Sequence, residues 1–299
     1  MRFAIFCKSF APDIERFEQL LTSIERHNAS QCPFVVSVPQ SDKALFLNRF
    51  GASRFQLFTD EDVIAGRKQN WRTQQLVKLY AWRLNFADAW MWVDSDAYFI
   101  RAFSVQDFVR DQSVAFVTSP TLHEWREPGS SVDKYLGDVS SLPTLSAEQL
   151  RDQRASELPR KIPFVTRVLD AIKKPRVNDT EFRIQRFFGR RGPHLYYMAG
   201  TIWTQDSLRS LERDFLEPNQ LRYEDLIQHA PWEAIWLGEW EIYRGLPNRH
   251  VIQMPILHLS SDDSVRRARA TGVTEGRVAQ RYCGIQLAAR HGELARLDA

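Results

Sequence analysis

Short apolar runs alternate with stretches of helical periodicity through the first third of the chain, and few folds accommodate that pattern. The runs are Phe3 to Phe6, Phe34 to Val38, Phe55 to Phe58 and Ala89 to Val93. Between them lie helical stretches at Pro12 to His27, Asp42 to Phe50 and about Asn70 to Phe86. In the first of these, Phe17, Leu20, Leu21 and Ile24 fall on one face, and Pro12 suits the first turn, where its missing N–H costs nothing. Gly51 is placed to end the second. The third carries Leu76, Leu79, Tyr80 and Arg83 around a face that should be buried. Strands alternating with helices imply a mainly parallel central sheet with right-handed crossovers and helices on both faces. The expected fold class is therefore α/β, with ligands bound beyond the carboxyl ends of the strands.

A chain of 299 residues with 43% hydrophobic content can bury one large core without disulfides. A single domain over 1–264 is expected, with halves at 1–118 and 119–264, the second largely helical, followed by a basic helical tail over 265–299. The three cysteines, Cys7, Cys32 and Cys283, are odd in number and widely spaced. That excludes a disulfide framework or a zinc-ligand spacing and points to a reducing, cytoplasmic compartment. Met1 to Phe6 reads as a buried strand, not a signal peptide, because Lys8 and Asp13 break the apolar stretch. No apolar run is long enough to span a bilayer.

The net charge of +3 is too small for nucleic-acid binding through the whole surface. The tail, however, carries seven arginines against Glu275, Glu293 and Asp298. It reads either as a solvated helical surface or as a peripheral contact with anionic lipid headgroups on the inner face of a membrane. Residues 119 to 163, rich in Ser, Pro and charge, read as a loop or an acceptor-side lid. Beyond them come a strand near Leu195 to Trp203, a helix from about Asp206 and a Trp-dense segment from Pro231 to Tyr243.

Chemistry concentrates where the Ala89 to Val93 run ends, in Asp94-Ser95-Asp96. Two carboxylates separated by one residue, in a loop at a strand end, can reach one hard divalent cation, Mn²⁺ or Mg²⁺, through oxygen ligands. The competing reading is a solvated acidic turn. Ala97 to Ile100 follows as a short strand expected to continue the sheet. Gln75 and Lys78 lie one helical turn apart and share a face, so the lysine either meets a phosphate or the acidic pair, or is a surface lysine beside a capping amide.

Asn70-Trp71-Arg72-Thr73-Gln74-Gln75-Leu76-Val77-Lys78-Leu79, followed by Trp92-Val93-Asp94-Ser95-Asp96, resembles the W-x-x-Q-Q-x-x-K-L and hydrophobic-D-S-D arrangement of bacterial GT-A-type glycosyltransferases. The resemblance spans about residues 1 to 260. It implies a GT-A-like, Rossmann-like sheet, a nucleotide-binding first half, an acceptor-binding second half and a cation at Asp94 and Asp96. It further implies a nucleotide-sugar donor and a saccharide or lipid-linked acceptor, as in envelope polysaccharide synthesis. Cys7, Lys8 and Ser9, after the first strand, stand where this fold receives base and ribose, and Ser95 sits between the acids. Tyr196 to Thr201 resembles the small-residue turn at the sugars, with Gly200 either giving the backbone room there or serving as a simple strand glycine.

Gly238-Glu239-Trp240-Glu241-Ile242-Tyr243-Arg244-Gly245 resembles the S-E-Y-x-x-Y-G segment of the same relatives, with Gly for Ser and Trp for Tyr. That match makes Glu239 the leading candidate for the acceptor base, the carboxylate that removes the acceptor hydroxyl proton in an inverting transfer. Asp225 and Glu233 are the other two. His258, at the end of a short strand, is read as a third metal ligand or as a core histidine. Trp125, Trp203, Trp232, Trp236 and Trp240 offer faces for sugar rings or fill the core.

A haloacid-dehalogenase-like phosphatase is the main rival, with Asp262-Asp263 as its later acidic pair. It places its D-x-D after the first strand, whereas Asp94 follows at least three earlier runs. A non-catalytic carbohydrate-binding module on the same fold is the other.

Overall fold

The computed structural model describes residues 1–64, 70–118, 184–185, 187–189, 195–197, 200–252, 254–259, 261–287 and 296–298. The expected lid over 119 to 163, Trp125, Met198 and Ala199 lie outside the described residues. Its strands are β1 (Phe3–Lys8), β2 (Phe34–Val38), β3 (Gln56–Thr59), β4 (Ala89–Asp94), β5 (Ala97–Phe99), β6 (Val109–Arg110), β7 (Ser113–Val117), β8 (Thr201–Thr204), β9 (Arg249–Ile252), β10 (Ile256–Leu259) and β11 (Gly284–Leu287). The α-helices are α1 (Ile14–His27), α2 (Lys43–Phe50), α3 (Asp60–Val63), α4 (Trp71–Tyr80), α5 (Gln205–Ser210), α6 (Tyr223–His229), α7 (Glu233–Arg244), α8 (Asp262–Ala270) and α9 (Glu275–Val278).

The central sheet runs β3-β2-β1-β4-β8. Its first four strands are mutually parallel and only β8 is antiparallel to its neighbour. This is the α/β, mainly parallel architecture that the alternation of runs and helices implies. Strand periodicity sorts the two faces. Ala4, Phe6, Trp90 and Trp92 point into one core with Leu76, Val77 and Leu79 of α4 and Trp236 and Leu237 of α7. Ile5, Cys7, Met91 and Val93 point into the other, against Phe17, Leu20, Leu21 and Ile24 of α1. Because side chains alternate, Asp94 leaves the sheet on the α4 and α7 side.

Two expectations are corrected. Ala97 to Phe99 does not continue the central sheet: β5 pairs antiparallel with β11, which pairs in parallel with β10. The segment after residue 264 is not a helical tail throughout. α8 and α9 are helical, but Gly284–Leu287 becomes the middle strand of that second sheet. Ile285 and Leu287 pack with Tyr98, Leu257, Leu259, Val265 and Val278 in a third small core, which pulls the segment inward despite its arginines. Among the described residues no helix is long and apolar enough to cross a membrane.

Candidate active site

β1 and β4 are in register with Lys8 opposite Asp94, so the central strands end at one line and the acidic loop stands just beyond it. There a cavity of about 700 Å³ opens, lined among others by Asp94, Ser95, Asp96, Gln75 and Lys78. The Ser95 hydroxyl donates to Asp13 Oδ2 at 2.9 Å, tying the loop to the start of α1. Arg16, one turn on, lies 4.0 Å from the other Asp13 oxygen and also lines the cavity.

α4 begins at an Asn70 cap whose side chain accepts from Thr73 N. Its phase carries Gln75 and Lys78 inward to the acidic loop. Lys78 Nζ donates to Asp94 Oδ1 at 2.7 Å and to Glu233 Oε1 at 3.1 Å. Burial pushes the ammonium down, but the charges of Asp94 and Glu233 outweigh it and hold Lys78 above its ordinary range. Glu233 opens α7, where a carboxylate is favoured by the helix dipole, and burial raises its carboxyl. The Gln75 amide faces the same carboxylate, which only its nitrogen can satisfy.

Gln286 of β11 completes the arrangement. Its Nε2 donates to Asp94 Oδ2 at 3.1 Å and Asp96 Oδ1 at 2.9 Å. Asp94 resists the upward push of burial, held below its ordinary value by Lys78 and Gln286. Burial and the neighbouring charge of Asp94 push Asp96 up to about 7.

The remaining expected residues are spread more widely. Lys8 lines the cavity, but its ammonium is 3.1 Å from the buried Asp60 and donates to Ser9 O, so it is a core ion pair at the strand end. Cys7 points into the α1-side core. Ser9 is fully buried and its N–H donates to Ser37 O at 2.9 Å. Gly200 has φ +76°, a left-handed backbone that favours glycine, and a Cβ there would also press on Pro255 and Ile256 at 3.1 Å.

Glu239 lies six residues beyond Glu233 on α7, about 9 Å along the axis and roughly 240° around it. It faces Tyr197, whose hydroxyl donates to Oε1 at 3.3 Å, and not the acidic pair. Asp225 accepts from Arg222 N at 2.8 Å in a capping box at the start of α6. His258 reaches the site through Gln286, its Nδ1 lying 3.2 Å from Oε1. Among the described residues no three His, Cys, Asp or Glu side chains form a cluster that could hold a metal.

Trp203, Trp236 and Trp240 are buried core residues. Trp71, which sequence reasoning did not single out for sugar contact, is 50% exposed on the cavity wall, edge-on to Trp232 at 5.7 Å. Gln286, Asp13 and Arg16 were also missed. For Asp13 and Arg16 the signal was their one-turn spacing beside a strand end; Gln286 had none, lying in a segment that read as solvated tail.

A model of a family of unknown function (DUF6492) matches residues 5–140, from β1 past the acidic loop. No curated protein matches. Among solved structures the chain is similar to the apo structure of WbbM, a bifunctional glycosyltransferase, at 14% identity and a TM-score of 0.45. The alignment covers 97% of this chain and 46% of that one, so the chain spans under half the length of that protein.

Proposed function

We propose that the chain is a glycosyltransferase that moves a sugar from a nucleotide-sugar donor to a saccharide or lipid-linked acceptor, with Mn²⁺ or Mg²⁺ held by Asp94 and Asp96. One observation carries the reading. The two carboxylates approach each other closely enough for one nitrogen, Gln286 Nε2, to reach both at 3.1 and 2.9 Å beside a cavity of about 700 Å³. The donor set is hard oxygen, and Asp96 is pushed up by burial and by Asp94, a repulsion that a divalent cation offsets. When bound, the cation supplies charge neutralisation on the departing nucleoside diphosphate.

The chain's own groups prepare the site around it. Lys78, fixed between Asp94 and Glu233, adds positive charge at the wall that a diphosphate would face. Asp13, through Ser95, holds the loop in register with the strand ends. Of the three carboxylates read as acceptor base, Glu233 takes precedence over Glu239 and Asp225, because it stands at the acidic pair and burial raises its affinity for a proton. Envelope polysaccharide synthesis and a peripheral membrane contact through the basic residues after 264 belong to the same reading.

The phosphatase alternative fits less well. The end of β1, where its nucleophile would stand, holds the Lys8–Asp60 pair, and Asp262 and Asp263 form the first turn of α8, with Asp263 paired to Arg266. The deciding experiment is titration calorimetry of UDP and GDP with and without Mn²⁺. Asp96→Ala should abolish the Mn²⁺-dependent part of the binding, and wild-type affinity in that variant would remove the cation assignment.

A further inference from the structure

Gln286 is only 5% exposed and comes from a strand that the acidic loop meets through β5. The chemistry of its partners fixes how its amide stands. Asp94, paired with the Lys78 ammonium, is a carboxylate that only accepts, so the NH₂ group must face the acidic pair, which turns Oε1 away from it. Oε1 then lies 3.2 Å from His258 Nδ1, and since a carbonyl oxygen also only accepts, the imidazole must carry its proton on Nδ1. The sheet enforces the meeting: β10 and β11 are paired with His258 directly opposite Gln286, and Gln286 is opposite Ala97, next to Asp96. Two links in series join the second sheet to the acidic pair, His258 to the Gln286 carbonyl and the Gln286 NH₂ group to both carboxyls.

We propose that Gln286 is a positioning residue that holds Asp94 and Asp96 together for one divalent cation, and that His258 acts through it by locking the amide, not as an independent ligand. The inference rests on reading the acidic pair as a cation site. Two carboxylates this close repel each other, and a shared NH₂ donor is what keeps them convergent. Partners of this kind, one bond removed from a metal, typically change its affinity by about 10- to 100-fold when lost.

The test is a double-mutant cycle on the full chain, with the Mn²⁺ dissociation constant read by electron paramagnetic resonance and the melting temperature read in parallel. Gln286→Leu should weaken Mn²⁺ binding by about 10- to 100-fold, His258→Leu should weaken it less, and the double variant should be no weaker than Gln286→Leu alone. A packing role would lower the melting temperature and leave the dissociation constant of the folded protein unchanged, which would overturn the inference. Losses that add in the double variant would overturn the part assigned to His258, making it a ligand in its own right. Should Gln286→Leu fail to fold, Gln286→Asn, too short to bridge both carboxylates, carries the same expectation. Absence of Mn²⁺ binding in the wild type would instead remove the cation reading of Asp94 and Asp96, a result distinguishable from the others.

Discussion

Lys78 and Glu233, 155 residues apart in the chain, meet at 3.1 Å with side chains only 9% and 8% exposed. Removing one partner of so buried a pair leaves the other charged and dry, typically at about 3–5 kcal/mol. Lys78→Met should therefore destabilise the fold by roughly 3 kcal/mol in urea unfolding. Adding Glu233→Gln to that variant should recover part of the loss; no recovery would mean that Glu233 is not the stranded charge.

Gly238 faces the Tyr197 ring so closely that a Cβ would run into it. Gly238→Ala should cost about 1–3 kcal/mol through overpacking, as measured by urea or thermal unfolding. In a Tyr197→Leu background the same substitution should cost less, since the obstructing ring is gone. Equal costs in both backgrounds would place the strain elsewhere.

All three cysteines are buried and free. Burial is the main cause that raises each thiol, to about 11 at Cys32, about 12 at Cys283, and well upward at Cys7. A thiol with a raised value stays protonated, so at pH 8 about one Cys32 in a thousand is thiolate. Ellman's reagent at that pH should label the native protein negligibly and react with three thiols after denaturation. Rapid labelling of the native state would contradict the burial.

Trp71 is the half-exposed indole on the cavity wall, with Trp232 behind it. Filling the cavity should shift tryptophan emission, and Trp71→Phe should remove most of that shift while leaving the fold intact. Titration with UDP in the presence of Mn²⁺ reads the difference. An undiminished shift in the variant would place the ligand away from this wall.

Much of the first half was legible because its physics is local. The apolar faces of α1 and α4 and the run ending at Val93 follow from periodicity, and the parallel order of β1 to β4 follows from their alternation with helices. The one-turn spacing of Gln75 and Lys78 implies a shared face but leaves it open to solvent or core; the packing of α4 turns it inward. What escaped depends on long-range pairing. Ala97 to Phe99 reads equally well as the next strand of any sheet, and only β11, far along the chain, decides which. Gln286 sits among arginines that suggest solvent, and its burial follows from Ile285 and Leu287 alternating on either side of it. Glu239 and Glu233 share one helix, so the sequence could not choose between them; the helix phase, set by packing of Trp236 and Leu237, turned Glu233 to the loop.

β11 lies between β5 and β10 and gives each a hydrogen-bonding neighbour. A polypeptide truncated at 264, near where the arginine-rich segment begins, would thus expose two raw backbone edges at once and strand the acidic loop beside one of them. Such a fragment should self-associate more readily than the full chain. During synthesis, the same geometry means that the rim of the cavity can close only after residue 287 has left the ribosome, however early the central sheet has formed.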